Sequence, residues 1–220
     1  HSGLEKVIRP IVTEEHSTGA VEAYRALRTS VLAKLDEENE KIALVTSADS
    51  REGKTLTTLN LAIMTAQMNK KVLLIDMDLR RSRLHRSLGV EKEPGLADVL
   101  HGDLDLTQVI KTTRIPHLDI ITCGKSVDDA AELLQSSNIM TQIAGLRNSY
   151  DYILVDTSPV LRVTDTVIAA SQGIGVVLYV ARVNHTPKPL IRYSLDVLNN
   201  TRVVGLIINS IEMHKVSSLY

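Results

Sequence analysis

Residues 41–56 read KIALVTSADSREGKTL. The first seven form an apolar, β-favouring run without alternation, the pattern of a strand covered on both faces. ADSREGKT follows at once over residues 48–55, and helix-forming sequence continues from Lys54. Strand, loop and helix in that order are the context a phosphate-binding loop needs. Backbone N–H groups from Ser50, Arg51, Glu52, Gly53, Lys54, Thr55 and Leu56 are expected to surround phosphate. The Lys54 ammonium would reach the β/γ oxygens, and the Thr55 hydroxyl would take a place on Mg²⁺. Ala48 stands where such loops often begin with glycine, and Gly53 where backbone must approach phosphate closely. No G-x-G-x-x-G run is present, which argues against a Rossmann-type dinucleotide fingerprint.

Further strand-like runs lie at residues 71–76 (KVLLID), 118–122 (LDIIT), 152–156 (YILVD), 175–181 (GVVLYVA) and 203–209 (VVGLIIN). Helix-length segments at 54–69, 130–148 and 187–200 fall between them. The alternation predicts an α/β fold: a doubly wound, mostly parallel sheet flanked by helices, of the P-loop NTPase type. Ligands of such sheets bind beyond the carboxyl ends of the strands. Two strands put carboxylates there, Asp76 and Asp78 on one and Asp156 on the other. Asp156 ends a strand of Walker B form, which supports Mg²⁺ directly or through water. Asp76 and Asp78, two residues apart, would supply a metal-linked group and a general base, in either assignment. The plainer reading is a pair of strand-end caps.

A chain of 220 residues fits one such domain with appendages. With no Phe, no Trp and six Tyr, the core must be aliphatic, and aromatic platforms for nucleic-acid bases are not available. Twenty-five basic against 26 acidic residues exclude a polyelectrolyte binder, so no nucleic-acid partner is expected. Cys123 is the only cysteine, which suits a reducing cytoplasm and a core or surface role. No apolar run approaches the ~20 residues that span a bilayer. The start, His1-Ser2-Gly3, reads as a cut inside a longer chain or a tag remnant. Residues 4–17 are expected to be an extended arm. Val21, Tyr24, Leu27, Val31 and Leu35 mark a helix stripe, with Glu22, Arg25 and Arg28 facing outward, and the acidic residues 36–40 a solvated loop.

Ile75-Asp76-Met77-Asp78-Leu79-Arg80 resembles the Walker A′ motif of the bacterial tyrosine kinases, cytoplasmic domains of the polysaccharide co-polymerases that govern capsule and exopolysaccharide export. Glu22-Ala23-Tyr24-Arg25-Ala26-Leu27-Arg28 resembles their E-x-x-R-x-x-R self-association helix. The runs 80–85 (RRSRLH), 95–102 (GLADVLHG), 131–134 (AELL) and 150–159 (YDYILVDTSP) are similar to further stretches of the family. Partitioning and division-site ATPases share the fold, but their early P-loop lysine is missing here. The resemblance implies an ATP- and Mg²⁺-dependent protein-tyrosine autokinase, with Lys54, Asp76, Asp78 and Asp156 catalytic and Thr55, Asp76 and Asp156 at the metal. It also implies Asn209 on the adenine side and Glu22, Arg25 and Arg28 in a homo-oligomeric ring. The site would be cytoplasmic, at the membrane's inner face through a membrane-embedded activator segment in cis or in trans. The implied division is residues 1–40, arm and self-association helix; 41–211, kinase domain; and 212–220, tail. In place of the family's tyrosine cluster the tail carries Tyr220 alone, the expected phosphoacceptor. Tyr150, Tyr152, Tyr179 and Tyr193 are expected to be packed. The alternative function is a slow ATPase whose output is ring assembly.

Overall fold

Strand β1 (Ile42–Ser47) is buried along its whole length. It pairs in parallel with β5 (Tyr152–Asp156) on one side and β6 (Val176–Arg182) on the other. The computed structural model describes residue 10 and residues 18–210. The expected arm, Pro10 apart, and the tail with Tyr220 lie outside the described residues. The full sheet has seven strands in the order β3 (Ile110–Thr112), β4 (Leu118–Ile121), β2 (Val72–Asp76), β5, β1, β6, β7 (Val203–Asn209). Every pairing is parallel except β3 with β4. The six expected strands are present. The seventh, β3, has three residues, too few to carry a readable alternation.

Helices cover both faces. Against one pack α1 (Thr18–Glu37), α2 (Lys54–Ala66) and α3 (Leu84–Leu88). Against the other pack α4 (Leu96–Leu100), α5 (Ala130–Ser136), α6 (Ile139–Gly145), α7 (Asp165–Ser171) and α8 (Lys188–Val197). Strand residues alternate between the two cores: Ile42 and Leu44 enter one, Ala43 and Val45 the other. Both cores are aliphatic, and Tyr179 is the one aromatic among the largest fully buried side chains. Among the described residues no helix is long and apolar enough to cross a membrane.

Two expectations need correction. The segment 130–148 is not one helix: Ser137 turns to extended backbone (φ −91, ψ 160) and the chain restarts at Asn138. The acidic run 36–40 is not a solvated loop either. Asp36 and Glu37 close α1, and Glu40 is buried, accepting from Nε and Nη2 of Arg147 and from the N–H groups of Lys41 and Ile42. A buried carboxylate persists where charged donors satisfy it, and Arg147 is that donor.

Candidate active site

The order β2–β5–β1 brings the carboxyl ends of three strands side by side. β1 hands the chain to the phosphate-binding loop, which turns through Arg51 (φ 66) and Gly53 (φ 90) into α2. A Cβ on Gly53 would stand 1.9 Å from Asn209 Nδ2. Glycine is therefore required twice, by the left-handed backbone and by the approach of the last residue of β7. Asn209 Nδ2 donates to the Glu52 carbonyl at 3.0 Å. Ala48 has no positive φ, which explains why a side chain is tolerated there.

Glu52 has a job that sequence did not disclose. Its carboxylate is buried, accepting from Thr186 Oγ1 at 2.7 Å and from the Asp49 N–H at 3.2 Å. The loop is thereby tied to the connection between β6 and α8. Above it, Arg162 grips Asp49 with Nε at 2.5 Å and Nη2 at 2.9 Å, and this guanidinium holds the Asp49 carboxyl below its usual range.

Lys54 and Asp156 face each other. The Lys54 ammonium donates to Asp156 Oδ1 at 2.8 Å, with the two side chains 6% and 1% exposed. Thr58 Oγ1 donates to the same oxygen at 3.3 Å, and the Thr55 hydroxyl also bonds the carboxylate. Asp76 is the register partner of Asp156 on β2. Its Oδ2 accepts from Ser82 Oγ at 2.5 Å and its Oδ1 from the Asp78 N–H at 3.3 Å. Burial, reinforced by the charges of Asp156 and Asp78, pushes the Asp76 carboxyl up to about 7. Burial raises Asp156 as well, with the Lys54 ammonium pulling against it.

The cavity over these groups has a volume of about 1030 Å³. The loop from Asp49 to Leu56, Asp78, Ser82, Asp156 and Ser158 line it, and Arg80, Arg81, Arg83 and Arg162 give it a basic rim. Asp78 is in the wall, its Oδ1 accepting from the Arg81 N–H and Ser158 Oγ; Asp76 lies behind, fully buried. Arg80 Nε approaches Asp165 Oδ2 at 3.5 Å. Sequence reading missed Ser82, Thr58, Ser158, Arg162 and Thr186. Of these only Thr58, one helical turn after Lys54, carried a positional signal.

Among the described residues no group of three or more His, Cys, Asp or Glu could hold a metal ion. Mg²⁺ keeps several waters and leans on phosphate oxygens with one or two carboxylates, so Thr55 beside Asp156 is a donor set that fits it. Cys123 is buried and its thiol is pushed up to about 11, which removes thiolate chemistry near neutral pH.

The remaining expected residues divide. Glu22 and Arg25 are exposed and pair with one another. Arg28 does not face outward: it is half-buried, Nη1 donates to the Met64 carbonyl in the last turn of α2 at 3.1 Å, and Nε is buried without a partner. It lies four residues after Tyr24 and three before Val31, on the packed stripe itself. Tyr150, Tyr152 and Tyr179 are packed as expected, whereas Tyr193 is 61% exposed.

The AAA domain family matches residues 40–183. The tyrosine-protein kinase ptk of Acinetobacter johnsonii is 34% identical over 206 residues, covering 92% of this chain and 28% of that protein. The tyrosine-protein kinase wzc of Salmonella typhi is 36% identical over 194 residues, 87% of this chain and 27% of that protein. The chain thus spans about 28% of the length of the curated relatives it matches. The kinase domain of the Escherichia coli tyrosine kinase ETK superposes with a TM-score of 0.86 at 33% identity, covering 92% of this chain and 80% of that one. Fold and site define a P-loop nucleotide-binding protein with an AAA domain. Within that class the chain belongs to the family of bacterial tyrosine kinase domains.

Proposed function

We propose that this chain is an ATP- and Mg²⁺-dependent protein-tyrosine kinase domain serving capsule or exopolysaccharide export. It would work in the cytoplasm at the inner membrane face, as a homo-oligomer, with a membrane-embedded activator segment in cis or in trans. The observation that carries the reading is the adjacency of Asp76 and Asp156 beside the P-loop lysine. The kinase names of the relatives favour phosphotransfer over the slow assembly ATPase.

In this reading Lys54 and the N–H groups from Ser50 to Leu56 hold the nucleotide phosphates, with Asn209 fixing the loop on the adenine side. Thr55 and Asp156 would hold Mg²⁺ with Asp76 behind them; when bound, the ion supplies neutralisation of the phosphate oxygens. Asp78, in the cavity wall, orients the incoming tyrosine hydroxyl. Asp76 accepts its proton through the Ser82 hydroxyl, which lines the cavity and donates to it. Burial raises the Asp76 carboxyl above the usual carboxylate range, the direction that favours a general base. Residues 1–40, 41–211 and 212–220 then divide into self-association segment, kinase domain and substrate tail with Tyr220.

The test is a phosphotyrosine blot of the purified chain with ATP and Mg²⁺ beside its Lys54→Met variant. A signal in the first and none in the second is expected. Equal signals, or ATP hydrolysis with no phosphotyrosine, would overturn the kinase reading.

A further inference from the structure

We infer that Tyr193 is a second phosphoacceptor, modified in trans by another copy of this chain. The inference rests on the kinase reading above.

Phosphotransfer requires the phenolic oxygen within about 3–3.5 Å of the γ-phosphorus, so the acceptor must leave its own surroundings for a foreign site. Most tyrosines here cannot. Tyr24, Tyr152 and Tyr179 are at most 9% exposed. Tyr24 is hydrogen-bonded to Thr57 and Asn60, Tyr179 to Ser194, Tyr152 to Asp36 at 3.4 Å, and Tyr150 to Asp119 at 2.9 Å. Tyr193 is 61% exposed and its hydroxyl has no hydrogen-bond partner among the described residues.

Its surroundings suit the product. Lys188, Pro189, Arg192, Tyr193 and Asp196 line a shallow cavity of about 310 Å³ on the outer face of α8. Among the described residues neither Lys188 nor Arg192 has an ion-pair partner. Two uncommitted cations beside one uncommitted hydroxyl are placed to hold a phosphotyrosine dianion.

The helix is also releasable. Ser194 is the only residue of α8 that is buried, and Leu190, Ile191 and Leu195 are partly buried against the core. Helices so attached open locally at low cost, which lets Tyr193 be presented to a site. Tyr193 does not line the active-site cavity of its own chain and faces outward from α8, so the site it is presented to is that of another copy.

The reaction balances within the proposed activity. The bond from the γ-phosphorus to the β–γ bridging oxygen breaks and its electron pair leaves with ADP. A new P–O bond forms to Tyr193 Oη, whose proton passes to the Asp76 carboxylate of the receiving copy.

The experiment uses the full chain with Tyr220→Phe, incubated with Mg·ATP at two protein concentrations tenfold apart, followed by phosphopeptide mapping. Phosphate at Tyr193 is expected, with an initial rate per molecule about tenfold higher at the higher concentration. Adding Tyr193→Phe should remove the chain's phosphotyrosine while a soluble Glu–Tyr copolymer is phosphorylated at an unchanged rate. Phosphate on the copolymer, or at Tyr220 of the parent chain, with none at Tyr193 would overturn this inference and leave the kinase reading standing. A rate per molecule independent of concentration would overturn transfer in trans. No phosphotyrosine on any of these substrates would overturn both.

Discussion

The Lys54 ammonium and the Asp156 carboxylate, 102 residues apart in sequence, meet at 2.8 Å at the buried floor of the cavity. The pair joins the start of α2 to the end of β5 and so sets the spacing between phosphate-binding loop and metal-side carboxylate.

Removing one partner leaves the other buried and uncompensated, which costs about 3–5 kcal/mol. Lys54→Met and Asp156→Asn should each lower stability on that scale in urea unfolding of the nucleotide-free chain. The double variant should lose clearly less than the sum of the two, because no charge is then stranded. Strict additivity would show that the pair is not coupled. Asp156→Asn should also weaken Mg·ADP binding in titration calorimetry.

Asp76 gives a pH dependence with two opposite signs. As a base it works deprotonated, so turnover at saturating substrate should rise with pH, with bound Mg²⁺ moving the limb below the metal-free value of about 7. Stability moves the other way. The folded carboxyl is raised from 3.8 to about 7, so the folded state holds its proton more tightly than the unfolded chain. That contribution is complete below about 4 and is lost as pH rises through about 7. In metal-free buffer the fall should amount to a few kcal/mol between pH 5 and 8, and Asp76→Asn should flatten it. The Ser82 hydrogen bond lowers the Asp76 value, so Ser82→Ala should move the stability fall to higher pH, and the loss of the proton relay should slow turnover at every pH. A stability fall that stays put in both variants would assign the titration to another group.

Much of this site was legible in sequence because its parts are local. Strand, loop and helix follow one another from residue 41 to 56, and Asp76 and Asp156 end runs that are apolar throughout. What escaped depends on pairing across the sheet. Glu52 and Thr186 are 134 positions apart and meet because β6 lies beside β1. β3 is specified by its pairing with β4 rather than by a period of its own. Two misreadings were avoidable. Arg28 falls on the Tyr24–Val31 stripe, and Ile191, Ser194, Leu195 and Leu198 define the inner face of α8, which leaves Tyr193 outside.

The Glu52–Thr186 bond predicts a binding effect without a fold effect. Glu52→Ala releases the loop from the β6–α8 connection and from the Asp49 N–H, so the N–H groups lose their fixed aim. ATP affinity should fall about tenfold, on the order of 1.4 kcal/mol. Thr186→Ala removes one of those bonds and should cost less. If equilibrium dialysis gives the same dissociation constant for all three proteins, the strap does not shape the site.

Assembly separates the three charged residues of α1. Glu22 and Arg25 are exposed, and their mutual pair is worth at most about 1 kcal/mol, so neither is needed to hold the fold. Arg28 is committed inward: its bond to the Met64 carbonyl satisfies the carboxyl end of α2, where a cation is favoured. Glu22→Ala with Arg25→Ala should therefore leave the unfolding midpoint nearly unchanged. On the proposed self-association it should leave the chain monomeric, because an exposed arginine freed from its neighbour is suited to bidentate contact with a carboxylate on the next copy. Arg28→Ala should instead lower stability by about 1 kcal/mol, with any loss of assembly following from that. Light scattering and urea unfolding on the two variants separate these roles. A double variant that keeps the parent's mass would remove Glu22 and Arg25 from the interface, and an Arg28→Ala protein of parental stability would return Arg28 to it.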